Sequence, residues 1–133
     1  MTEHASAWYP VPDVTDAFGS ISFVHESRAI SGSTTRDALV TLHGIRDLEL
    51  HFSRVIALHY EDDCPGNFPM PANRPRLNAE YMFPLLKIEG SLWGAQWPMW
   101  PKLVHFALIS LDDIVHVFAD SDVRAKWVDR HAA

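Results

Sequence analysis

The residues best equipped for chemistry in this chain are its histidines, of which there are eight. Six of them directly follow an aliphatic residue: His25, His43, His51, His59, His105 and His116. Neutral imidazole is the commonest transition-metal ligand, and it exchanges protons near neutral pH. His43, His51 and His59 recur at an interval of eight, in Leu42-His43-Gly44, Leu50-His51-Phe52 and Leu58-His59-Tyr60. On neighbouring antiparallel strands such a set can present two or three rings to one metal ion, so these three are the candidate ligands if a metal is bound. Strand alternation weighs against it, because burying the aliphatic residue turns the next side chain to the opposite face. The interval also crosses two turns and leaves the parity of the rings open. His-X-His on one strand is absent, as is the helical His-Glu-X-X-His pattern that pairs two ligands with a base. The expectation is therefore no metal and no cofactor.

The second concentration is aromatic. Trp93, Trp97 and Trp100 fall within Trp93-Gly94-Ala95-Gln96-Trp97-Pro98-Met99-Trp100-Pro101. Their spacing is helical, yet Pro98 cannot sit inside a helix, so a short helical turn ending near Trp97 and then an extended piece are expected. Such a segment either caps an open end of a β core or forms a partly exposed binding surface, since Trp and Met are enriched at interfaces. The candidate binding surface comprises Trp93, Trp97, Met99 and Trp100, with Phe68, Met70 and Arg74 from the preceding proline-rich stretch.

Other motifs give less. Cys64 is the sole cysteine, so no disulfide forms within the chain, and Asp62 and Asp63 beside it oppose the thiolate a nucleophile needs. The pairs Asp62-Asp63, Asp112-Asp113 and Asp120/Asp122 suit turns, where aspartate bonds the local backbone. Calcium-loop, phosphate-loop and Gly-X-Ser-X-Gly patterns are absent. Acidic residues outnumber basic ones 17 to 11, for a formal charge of −6. That balance disfavours nucleic acid, whose affinity rests on Lys and Arg at phosphates, and favours encounter with a basic protein. The start, Met1-Thr2-Glu3-His4, lacks the charged and apolar regions of a signal peptide, and no run approaches the ~18 apolar residues of a membrane span. A cytoplasmic protein without a membrane role is expected.

These side chains must be positioned by strands. Gly19 to Glu26, Ala38 to His43, Leu48 to Phe52, Val55 to Glu61, Leu85 to Glu89, Leu103 to Ser110, Ile114 to Ala119 and Val123 to Val128 read as β-rich runs. The last of these alternates strictly, although Asp120 could cap a helix there instead. The spacer Ser53-Arg54 is too short for a parallel crossover, which predicts antiparallel neighbours on either side of it. Leu103 to Ser110 is apolar at both parities and should lie between two covered faces. Residues 1–17 read as an irregular arm, and residues 62–80 as a long proline-rich loop. The expectation is one mainly β domain over residues 1–133, an antiparallel sandwich or small barrel of about eight strands in two meanders with little helix.

The function expected from these features is a small acidic binding protein without catalysis, docking on or neutralising a basic protein partner, or associating with itself. In composition it resembles small acidic, tryptophan-containing proteins that neutralise toxins or dock on larger partners. The alternative is a β-fold enzyme or small-ligand carrier whose histidines, with Glu61 or Glu89, line a pocket, with or without metal. Convergence of several histidines on one concavity would separate the two.

Overall fold

Alternation of apolar and polar side chains resolves into nine strands among the described residues, which are 3–30, 33–62, 70–100 and 102–129 of a computed structural model. They are β1 (His4–Ala7), β2 (Ser20–Ile30), β3 (Ser33–His43), β4 (Asp47–Phe52), β5 (Ala57–Asp62), β6 (Leu85–Glu89), β7 (Val104–Ile109), β8 (Asp113–Ala119) and β9 (Arg124–Val128). The only named helix among these residues is a 3₁₀ turn over Gly94–Gln96. All pairings are antiparallel, in a five-stranded sheet ordered β1-β6-β7-β8-β5 and a four-stranded sheet ordered β2-β3-β4-β9. The architecture is an open sandwich, not a closed barrel. No helix among the described residues is long and apolar enough to cross a membrane.

The core lies between the sheets. Val40 and Leu42 of β3 and Leu48, Leu50 and Phe52 of β4 are fully buried, facing Phe106 and Leu108 of β7 and Val115 and Val117 of β8. Trp8 closes it, with its ring 4.6 Å from Phe106 and 6.1 Å from Phe52, which are themselves 5.2 Å apart. Burying each of these large side chains contributes about 2 kcal/mol, so three in mutual contact tie the two sheets together.

Three expectations need correction. The N-terminal segment is not wholly irregular: His4–Ala7 pairs with β6, because Ala5 and Ala7 are small enough to continue its apolar face at the sheet edge. β2 and β3 extend beyond the expected runs Gly19 to Glu26 and Ala38 to His43, pairing as far as Ile30 with Ser33. The strands flanking Ser53-Arg54 are not neighbours: β4 belongs to one sheet and β5 to the other. The chain turns a corner there, with Arg54 at φ 51°, Val55 N–H donating to the Arg36 carbonyl and Ile56 N–H to that of Phe118. The C-terminal strand then fills the place beside β4, so the two meanders, β2-β3-β4 and β6-β7-β8, each gain an edge strand from the other half of the chain.

Strands β7 and β8 are buried on both faces. Side chains away from the inter-sheet core, Ala107, His105, His116 and Phe118, are as inaccessible as those within it.

Candidate functional site

What covers that second face is the tryptophan segment. After β6 the chain reverses at Gly90, whose φ of 65° is a conformation glycine adopts without strain. Ser91 then organises the turn: Gly94 N–H donates to its Oγ at 2.8 Å and Ala95 N–H to its carbonyl at 3.0 Å. The turn ends before Pro98, which has no N–H to continue it. The chain does not then become extended. Trp100 N–H donates back to the Trp97 carbonyl at 3.0 Å, making a second turn.

Gly94 allows the segment to lie flat. A Cβ there would sit 2.8 Å from the Phe118 ring, so any side chain would push the strap off the sheet. Trp97 stacks on Phe118, with centroids 5.5 Å apart and planes at 27°, and Trp93 packs edge-on to His105 at 5.0 Å and His116 at 6.1 Å.

Beneath Trp93 runs a hydrogen-bonded line of three side chains. Ser91 Oγ is 2.7 Å from His105 Nδ1, and His105 Nε2 is 2.8 Å from His116 Nδ1. Because Ser91 Oγ accepts from Gly94, its own proton is used best as a donor to His105 Nδ1. His105 then donates from Nε2 to His116. His59 faces His116 across the β5–β8 pair, with ring centroids 6.2 Å apart, and its Nε2 lies 3.4 Å from Glu61 Oε1. Burial lowers His105 to about pKa 4. Burial first, and then the proximity of His105 and His59, lowers His116 to about 3. Both rings are neutral at physiological pH.

A serine bonded to an imidazole is the first half of a nucleophilic array. An efficient general base, however, is poised near working pH, and His105 lies well below it. The arrangement fits the need to satisfy polar groups in a covered sheet better than it fits proton transfer.

Beside this line opens a groove of about 490 Å³, walled by Trp97, Trp100, Lys87, Glu89, Ser91 and His105. The Arg54 guanidinium lies 5.4 Å from the Trp100 ring centre. Leu92 and Met99 of the same segment are 68% and 66% exposed.

Sequence-proposed residues are distributed as follows. Trp93, Trp97 and Trp100 gather over one sheet face, with Met99 outermost. Met70 and Arg74 lie elsewhere: Arg74 Nη1 is 3.7 Å from Met70 Sδ, and Arg74 lines a second groove beside β1. Phe68, like Cys64, lies outside the described residues. The candidate metal trio does not assemble. His43 sits on the outer face of the four-stranded sheet, between Ser22 Oγ at 2.8 Å and Asp47 Oδ2 at 3.2 Å. His51 is on that same face but across from Leu39, four residues or about 13 Å along β3 from His43. Its Nε2 is 3.3 Å from Asp37 Oδ2, and its Nδ1 is contacted by Arg124. His59 belongs to the other sheet. Short connections reverse the chain but do not decide which sheet the next strand joins, so an interval of eight carries no spatial meaning here. Among the described residues no group of three His, Cys, Asp or Glu side chains is arranged to hold a metal ion.

The histidines that do converge, His105 and His116 with His59 beside them, include two that the eight-residue interval passed over. The signal was present in Val104-His105-Phe106-Ala107-Leu108, because a histidine in a strand apolar at both parities must be buried. No protein-family model, no curated protein and no solved structure matches this chain.

Proposed function

We propose that this chain is a non-catalytic binding protein whose aromatic groove receives an apolar portion of a protein partner. The observation that carries this reading is the combination of an open groove walled by Trp97 and Trp100 with Leu92 and Met99 left two-thirds exposed on the same segment. Half-buried Trp beside exposed Met and Leu offers large apolar area at low conformational cost, the composition of interface hot spots. The nearby imidazoles are buried and neutral, so they support the strap rather than act on a substrate. The formal charge of −6 favours a basic partner at the encounter stage.

Photo-crosslinking from position 99 in cells tests this. A benzoylphenylalanine in place of Met99 is expected to give one discrete adduct, which disappears when Trp97→Ala or Trp100→Ala is added to a chain that still folds by circular dichroism. An adduct of twice the chain mass identifies the partner as a second copy. Absence of any adduct, or one indifferent to both tryptophans, overturns the reading.

A further inference from the structure

The outer face of the four-stranded sheet carries a second hydrogen-bonded line of side chains, separate from the aromatic strap. Leu42 pairs with Leu48, so His43 of β3 stands across the hairpin from Asp47 of β4. Ser20 of β2 is opposite His43 on its other side, which makes Ser22 its diagonal neighbour on the same face. Ser22 Oγ is 2.8 Å from His43 Nε2, and His43 Nδ1 is 3.2 Å from Asp47 Oδ2. The other carboxylate oxygen, Asp47 Oδ1, accepts from the Gly44 N–H at 3.4 Å.

These contacts fix the proton positions. A carboxylate only accepts, so the neutral ring carries its proton on Nδ1, donating to Asp47, and Nε2 is left to accept from the Ser22 O–H. Serine, imidazole and carboxylate thus stand in the order in which a base activates a hydroxyl and a third group orients the base. The Ser91–His105 line is covered by Trp93, whereas Ser22 is exposed and the His43 and Asp47 side chains are 33% and 16% exposed. An external acyl group can therefore reach the Ser22 hydroxyl. One step along β2 on the same face, Val24 is 59% exposed and paired with Leu39, which makes an apolar ledge beside the serine.

We propose that Ser22 is an acyl-acceptor site, activated by His43 and Asp47, that takes an apolar acyl group from a thioester. Ser22 Oγ attacks the acyl carbon while its proton passes to His43 Nε2. The C–S bond then breaks and the departing sulfur takes that proton, leaving an ester on Ser22 and a free thiol. Asp47 is a positioning residue, holding the ring in the tautomer that can accept the proton. On an exposed face the developing oxyanion is solvated by water, so only a donor with a good leaving group reacts, which selects thioesters over amides and alkyl esters. Hydrolysis would have to expel the serine alkoxide, a far more basic leaving group than a thiolate, so the ester persists. The product is one modified chain without turnover, and the site is independent of the partner groove.

The probe is the butyryl thioester of N-acetylcysteamine, mixed with the full chain and followed by intact mass and peptide mapping. One butyryl group on Ser22 is expected, formed about a hundredfold faster than on the same chain unfolded in urea, and lost in Ser22→Ala. His43→Gln should slow acylation by about the same factor. Asp47→Asn tests the positioning residue. The Gly44 N–H keeps the amide oxygen, the amide NH2 turns to Nδ1, and nitrogen NMR should show the ring proton moved to Nε2, with acylation slowed about tenfold or more. The comparison with the unfolded chain needs no variant, so it decides even where one of these does not fold. Equal rates for the native and unfolded chain overturn the proposal. So does butyryl transfer to Lys87, Lys102 or Lys126 in preference to Ser22, or a folded His43→Gln chain that reacts as fast as wild type.

Discussion

Acid should destabilise this protein through His105 and His116. In the unfolded chain both titrate near pH ~6.5, whereas in the fold burial holds them at about 4 and about 3. The folded values are depressed, so the unfolded state binds more protons. The stability these groups confer is complete above pH ~6.5 and is lost as pH falls from there toward the folded values. Linkage at pH 5 gives about 2 kcal/mol lost per ring, or about 4 kcal/mol for the pair relative to pH 7.5. That is a large share of the 5–15 kcal/mol typical of a domain. Neither ring is more than 3% exposed, so solvent screening reduces the figure little. Urea unfolding at pH 7.5, 6 and 5 measures it, and the matched comparison is His105→Gln with His116→Gln, whose amides keep hydrogen-bonding ability without the charge. The double variant should start less stable but lose about 4 kcal/mol less over the same range. Imidazole NMR provides a direct check should that variant not fold. Parallel pH dependence of wild type and variant, or midpoints near 6.5 for both rings in the folded protein, would refute the reasoning.

Three further outcomes follow from the strap. Gly94→Ala should cost about 1–3 kcal/mol, because its methyl meets the Phe118 ring at 2.8 Å and Trp93 and Trp97 hold that ring in place; unchanged chemical-denaturation stability would contradict this. Trp93→Ala should cost about 3 kcal/mol, by uncovering the two histidines and Phe118, while Met99→Ala changes stability by less than about 0.5 kcal/mol, and equal urea midpoints for the two would be inconsistent with the strap as described. Because burial keeps His105 and His116 neutral well below their ordinary range, at most six of the eight histidines can offset the charge of −6 while the fold persists. Light scattering should show association growing as pH falls toward the sequence pI near 5.7.

Local patterning made most strands legible. β-rich composition placed β4, β8 and β9 to within a residue or two, with strict alternation in the last, since side chains one apart point to opposite faces whatever the strand pairs with. The two-parity run of β7 announced a doubly covered strand, and Pro98 set the end of the helical turn. β1 was missed because four small or polar residues carry almost no period. The role of Gly94, its close approach to Phe118, leaves no local signal in the sequence.

What the sequence determined by itself was eight of the nine described strands and the helical turn before Pro98, all of which depend on residues within a few positions of one another. Which sheet each strand joins was decided only in three dimensions. β4 pairs with β9, and β5 with β8, because those partners complete the burial of Leu48, Leu50 and Val115, a condition that spans the chain and leaves no local trace. That choice sent His43 and His51 to one outer face and His59 to the other sheet, and brought His105 and His116 together beneath Trp93. Neighbouring rings in a sheet are fixed by register between strands, and register follows from how the whole core packs.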